Sequence, residues 1–370
     1  MKVLFVCSEY YAGMMPFGAN IVNAMQDSDF DIYGIFVSSA ACDYKKVIRN
    51  AETGKFHFIN SPQGKVGRLI FRYFGFPIIQ RIKNLSGIHT FDIIHFLTED
   101  CAIASYIVRL AKLHKVFYTV HDLKAHEHAR GRFLQSFVRD ILVTKRVELL
   151  IKKIENLVTC SIWQQDELKK QFPHKRLYYH QFPSLITRSI IEGNAIPKEL
   201  NGVKDYILFF GRIEPYKGVD ILYNQYILDD RLRQYPLVIA GSGFIYFQRN
   251  LQKEQNIYFL NRYIEDDEIK YLFNSSSCVV CPYVSATQSG IISLTDFFVK
   301  PVIVSSIPYL KSQVQEGVSG YVFDSSDPST LGNVIEKLSG LQVSVPVSNT
   351  VESTIAIQLI EIYNDNMNSK

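Results

Sequence analysis

The chain has 370 residues, 47% of them hydrophobic, and 40 lysines and arginines against 36 acidic residues give it a formal charge of +4. That apolar content suits two packed domains and excludes a disordered or fibrous chain. No run of 18 apolar residues is present, so no transmembrane helix is expected, and six mostly scattered cysteines fit a reducing, cytoplasmic setting.

The charge is uneven. Residues 1–185 hold 25 basic and 16 acidic residues, whereas residues 186–370 hold 15 and 20. A basic first half suggests contact with an anionic surface or acceptor.

Taken in chain order, Lys2–Cys7 reads as a buried strand rather than a signal peptide, because it lacks a long apolar core and a small-residue cleavage site. The loop after it, Ser8 to Gly18, is not G-x-G-x-x-G, so a dinucleotide fingerprint fails. Gly13 would let backbone N–H groups approach a phosphate, while Met14, Met15 and Phe17 suit either acceptor contact or packing. Further strands are expected at Asp31–Val37, Ile93–Phe96, Val116–Val120 and Leu157–Cys160. His95 closes the third and reads as core. Glu99 and Asp100, just beyond it, read as a helix start or as an acceptor-side base. His121 closes the fourth strand, where either a structural hydrogen bond or a ligand contact suits it. His126 and His128 follow too loosely for a metal cluster with His121.

Two segments have a membrane-facing character. Lys65, Arg68 and Arg72 form one helical stripe beside Leu69, Phe71, Tyr73, Phe74 and Phe76. Arg132, Arg139 and Arg146 recur at seven-residue spacing beside Phe133, Phe137 and Ile141. Basic helices with aromatics suit an anionic bilayer, and equally suit a core face opposite a solvated one. Segments 65–76 and 130–146 are therefore candidates for a peripheral contact with the inner face of a membrane.

The weakest patterning, near Ile191–Lys204, marks an interdomain linker. Beyond it strands are expected at Tyr206–Phe210, Leu237–Ala240, Ile257–Leu260, Cys278–Pro282 and Pro301–Val304. Cys278 and Cys281 form a C-x-x-C inside such a strand, with no second pair and no nearby His, and read as buried thiols. After the first of these strands, Gly211 permits a tight turn, and Arg212 and Lys217 project from one loop ahead of a helix. Two cations there can clamp a diphosphate, or simply face solvent. Ser289 and Gly290 precede another helix, whose leading amides suit phosphate or a plain cap. Ile355, Leu359 and Ile362 give the last segment, Val351–Tyr363, an apolar face that needs a docking surface. Strand–helix alternation in both halves implies an α/β chain of two Rossmann-like domains with parallel sheets, binding ligands at the carboxyl ends of the strands, in a cleft between them.

The loop from Gly211 to Gly218 resembles the G-R-x-x-x-x-K-G of family 4 glycosyltransferases (group 1, GT-B fold). The likeness continues through Leu237 to Gly243, Pro282 to Gly290, Lys300-Pro301 and Glu316 to Gly320. It implies an acceptor-binding domain over 1–190, a donor-binding domain over 203–348, and a final segment, 349–370, packed back on the first. It also implies transfer of a sugar from a UDP- or GDP-sugar to a glycan or lipid-linked hydroxyl. Such transfer would retain anomeric configuration, need no metal or other cofactor, and serve surface polysaccharide, lipopolysaccharide or capsule synthesis. Arg212, Lys217 and His121 would be catalytic. Gly13, Gly211, Tyr263, Ile264, Thr287, Gln288, Ser289 and Gly290 would complete the donor site, with Asn261 to Ile264 meeting the base through backbone groups. Two glutamates common in the family are replaced by Ala286 and Leu294, in a T-Q-S-G variant of the motif. That departure leaves open a non-catalytic subunit activating a partner transferase, and the architecture also admits a sugar-nucleotide epimerase. No nucleic-acid signature occurs.

Overall fold

The computed structural model describes residues 1–10, 14–39, 42–121, 123, 143–286, 289–341, 343 and 351–368. These form two units, one of residues 1–185 with 351–368 and one of residues 186–343. Each is built on an all-parallel sheet.

The first sheet has β1 (Lys2–Cys7), β2 (Asp31–Ser38), β3 (Phe56–Asn60), β4 (Ile93–Phe96), β5 (Val116–Thr119), β6 (Asn156–Thr159) and β7 (Arg176–Tyr179), in the order β3-β2-β1-β4-β5-β6-β7. Runs such as Val3-Leu4-Phe5-Val6 are buried throughout because helices cover both faces of a parallel sheet. His95, on β4, lies inside this core. One ring nitrogen meets the Tyr363 hydroxyl at 2.6 Å and the other the Thr119 hydroxyl at 2.9 Å. Burial holds its pKa well below the usual histidine value, so it is a neutral, structural imidazole. Tyr363 belongs to the helix Val351–Asn368, which buries Ile355, Leu359 and Ile362 in the first unit's core. The chain thus returns to the first unit after completing the second.

The second sheet has β8 (Tyr206–Phe210), β9 (Leu237–Ala240), β10 (Ile257–Leu260), β11 (Ser276–Cys281), β12 (Val302–Ser305) and β13 (Gly320–Phe323), in the order β10-β9-β8-β11-β12-β13. Cys278 and Cys281 are buried in β11 with thiol pKa values pushed up to about 12 by burial, as inert strand cysteines should be. The boundary between units falls at Leu185/Ile186, earlier than the weak patterning at 191–204 suggests. The reason is that Ile190 and Leu200 are buried in the second core, which turns the expected linker into part of that unit.

In each sheet the strand order reverses once, between β1 and β4 and between β8 and β11. Neighbouring loops diverge at such a point and leave a crevice at the carboxyl ends of the strands.

Candidate functional site

The loops following β8 and β11 flank the second unit's reversal point, and these carry the motifs singled out in the sequence. Gly211 leaves β8 with φ +139°, a conformation that a side chain would strain. The next residues still follow β9, since Ile213 N–H donates to the Ser242 carbonyl at 3.0 Å. Pro215–Lys217 then forms a single 3-10 turn that Gly218 ends at φ +63°, where the helix Val219–Leu228 starts. A Cβ at Gly218 would lie 1.9 Å from the Pro282 carbonyl oxygen, and Val284 N–H donates to the Tyr216 carbonyl at 2.8 Å. Backbone contact therefore locks the two loops together.

This lock sets the place of Lys217. Its ammonium donates to the Tyr283 hydroxyl at 2.7 Å and lies 4.1 Å from that ring's centroid. The Ser289 hydroxyl donates to the same Tyr283 oxygen at 3.4 Å. Lys217 and Ser289, 72 positions apart, thus meet at one phenol. Arg212 leaves the same loop with a side chain 64% exposed, and its 3.9 Å approach to Glu214 is too long and too wet to fix it strongly.

Other expected donor-site residues divide. Ser289 N–H donates to the Tyr309 hydroxyl at 2.9 Å, so this amide already has a partner inside the unit. Gly290 has φ −72°, which any residue could adopt, so the close approach expected of it does not depend on glycine. Tyr263 exposes its ring, while Ile264 is core and can offer a ligand only its backbone. Arg262 is a structural cation, forked onto Glu268 at 2.7 Å twice and onto Glu199 at 2.9 and 3.1 Å. Leu294, at one of the missing glutamate positions, is also core. In the first unit, His121 donates from Nε2 to the Leu97 carbonyl at 2.8 Å and packs edge-on against Phe17 at 4.8 Å. Most of that ring is enclosed. Gly13, Asp122, His126, His128, Arg132, Arg139, Thr287 and Gln288 lie outside the described residues.

Residues 193–342 match the family model described as glycosyl transferases group 1. That match covers most of the second unit and makes it similar to a group 1 glycosyltransferase domain. Among solved structures it is similar to Alr3699/HepE of Anabaena in complex with UDP and glucose (16% identity, TM-score 0.62, 99% of this chain and 95% of that one). It is also similar to a sucrose-phosphate synthase of Thermosynechococcus elongatus (12%, 0.67, 100% of both chains) and to WaaG, a glycosyltransferase of lipopolysaccharide biosynthesis (14%, 0.61, 100% and 95%). These likenesses give the fold, which is GT-B. No curated protein sequence matches the chain.

The first unit has its own cluster at its reversal point, where Glu99, read in the sequence as a helix start or an acceptor-side base, meets Glu9 and Cys101. Ligand atoms of Glu9, Glu99 and Cys101 lie within 4.8 Å of one another. Burial and the neighbouring Glu99 and Asp100 push Glu9 up to about 8, and the Cys101 thiol is held far above its usual value. A protonated carboxyl and a protonated thiol are a poor cation cage. Asp100, at φ +49°, accepts from the Ser8 and Thr98 N–H groups at 3.0 and 3.1 Å and so ties the β1 and β4 loops together. Its carboxyl is nonetheless pushed up to about 7 by burial. The folded state therefore holds this proton more tightly than the unfolded chain does. The stability it confers is complete below about pH 4 and is lost as pH rises through 7. Glu9 acts in the same direction. These two carboxyls tilt the unfolding free energy downward with pH between about 5 and 7, against the buried neutral His95 and His180, which tilt it upward below about pH 6.5. Asp100→Asn should make the slope measured by urea unfolding over about pH 5–7 more positive by up to about 1.4 kcal/mol per pH unit, and an unchanged slope would refute the assignment.

Proposed function

We propose that this chain transfers a sugar from a nucleoside diphosphate sugar to a hydroxyl of a glycan or lipid-linked acceptor, with retention, in surface polysaccharide or lipopolysaccharide synthesis. The observation that carries the reading is the meeting of Lys217, Tyr283 and Ser289 at the β8/β11 reversal point of the second unit. A cation fixed where open parallel sheets bind ligands suits a diphosphate, whose charge grows as the sugar leaves. Arg212, exposed on the same loop, adds a second, adjustable cation. With two protein cations on the leaving group no metal is required, and the departing phosphate oxygen can take the acceptor's proton. Gly211 and the backbones of Tyr263 and Ile264 complete the proposed donor site, together with Gly13, Thr287, Gln288, Ser289 and Gly290. His121, in the other unit, is assigned to the donor sugar. The UDP and glucose of the Anabaena neighbour and the lipopolysaccharide role of WaaG support the donor and acceptor classes. The chain is assigned to the inner face of a membrane, where a lipid-linked acceptor would be met.

The test is donor turnover by the purified chain over a panel of UDP- and GDP-sugars, with and without acceptor. Nucleoside diphosphate release that collapses in Lys217→Ala supports the assignment. No turnover with any donor would point to an activating subunit, and epimerised donor without acceptor to an epimerase.

A further inference from the structure

The helix Lys65–Phe74 has only one residue fully in the core, Phe71, whose ring meets Tyr10 edge-on at 6.2 Å. At 3.6 residues per turn, Val66, Leu69, Ile70 and Phe74 lie on an arc between that core stripe and the basic stripe Lys65, Arg68, Arg72. All four are more than half exposed (70, 51, 52 and 52%), and so is Phe76 at 64%. Scattered exposed apolar residues need no explanation, but a contiguous patch of five does. Phe74 and Phe76 stack with ring centroids 5.5 Å apart across Gly75, which links this helix to the next, Phe76–Ile88. Beyond Phe76 the patch runs into a groove of about 690 Å³ lined by Pro77, Ile79 and Tyr106, with Lys83 and Arg109 among its walls. Residues 60–91 contain five lysines and arginines and no acidic residue. Arg146, expected in the second basic segment with Arg132 and Arg139, donates to the Tyr73 and Cys101 carbonyls at 3.1 Å and pins the end of the helix Lys65–Phe74.

We propose that this face docks on an anionic phospholipid bilayer, inserting Val66, Leu69, Ile70, Phe74 and Phe76 at the acyl boundary. Lys65 and Arg68 meet headgroup phosphates, and Lys83 and Arg109 receive one in the groove. The charge pattern decides the occupant: cations around a bulky apolar face match an anionic interface, whereas a protein partner has no such need for an acid-free surround. The proposal deepens the membrane assignment above. Its test is flotation with phosphatidylcholine vesicles, with and without phosphatidylglycerol, at physiological salt. The full chain should float with the anionic vesicles only. Ile70→Glu with Phe74→Glu should abolish flotation, and each of Lys65→Gln and Arg68→Gln should weaken it about fivefold. Equal flotation with both vesicles, none with either, or lipid-free self-association through this face would overturn it. Donor hydrolysis in solution, measured on the same variants, should stay at the wild-type rate. Its loss in wild type would count against the transferase reading and leave the docking result standing.

A separate observation concerns Tyr283. Its ring is buried, its carbonyl accepts from the Ser305 hydroxyl at 2.6 Å, and its hydroxyl takes the Lys217 ammonium. We infer that Tyr283 is a positioning residue that holds Lys217 toward the donor diphosphate, an inference that rests on the role given to Lys217. Tyr283→Phe keeps the ring and removes the hydrogen bond that aims the ammonium, so kcat should fall about tenfold at unchanged KM. In the Lys217→Ala background it should cost nothing further. Equal cost in both backgrounds, or a loss of stability with kcat intact, would overturn it. A wild-type kcat in Lys217→Ala would instead reject the role given to Lys217 in the transferase reading.

Discussion

Lys217→Ala should lower kcat for nucleotide-sugar turnover by about 10²- to 10³-fold, the range seen when one preorganised charge-stabilising group is removed. The chain should stay folded. Lys217 ends a single 3-10 turn; its ammonium gives a hydrogen bond to Tyr283, whose hydroxyl keeps Ser289 as a partner, and lies over the Tyr283 and Tyr216 rings at 4.1 and 5.5 Å. One such bond is worth about 1 kcal/mol, which shifts the melting temperature by only a few degrees in a chain of this size. KM should change little, because the ammonium matters most when the bond to the sugar breaks and charge gathers on the phosphate. Lys217→Arg should recover little. The ammonium is a point charge seated 4.1 Å from the Tyr283 ring, and a planar guanidinium on a longer stem does not reproduce that seat. Titrating donor against initial rate for all three proteins separates kcat from KM. A wild-type kcat in Lys217→Ala would remove the cation from the mechanism.

Much of the fold was legible because a parallel strand buried on both faces is a short unbroken apolar run, as in Ile93-Ile94-His95-Phe96 or Leu237-Val238-Ile239-Ala240. The three strands that escaped notice, β3, β7 and β13, all lie at sheet edges. Covered less completely, they tolerate His57, Asn60 and Arg176, and that mixed composition hides the strand. The site divides in the same way. Gly211, Lys217 and Ser289 could be found because loop spacing is local. Tyr283 could not, although it stands inside a motif already noticed, because its importance comes from pairing with a residue 66 positions earlier. Glu9 escaped for the same reason, and Asp100 was legible only as half of an acidic pair: the perturbed carboxyls of Glu9 and Asp100 arise where β1 and β4 become neighbours, a contact 92 residues long in sequence for Ser8 and Asp100. Arg262 is the opposite case, a conspicuous cation at a strand end that the fold spends on Glu199 and Glu268.

Gly218→Ala should be among the most damaging conservative changes in the second unit. A left-handed backbone costs an alanine about 1–2 kcal/mol wherever it occurs. At Gly218 the methyl would in addition sit 1.9 Å from the Pro282 carbonyl oxygen and 2.9 Å from its carbon. Both are backbone atoms at the end of a buried strand and cannot swing aside as a flexible side chain would. The β8 loop must then move away from the β11 loop, and Lys217 moves with it, away from Tyr283. We expect a stability loss of about 2–4 kcal/mol and a fall in kcat of more than about tenfold, because small misplacements of a charged group are costly. Gly202 supplies the control. It has a similar φ of +80° but nothing within 4 Å of a Cβ built there, so Gly202→Ala carries the backbone strain without the collision. It should lose only about 1–2 kcal/mol and keep full activity. Urea unfolding and donor turnover measured side by side on the two variants separate strain from collision. If they prove equally stable and equally active, backbone contact between the two loops is not what places Lys217.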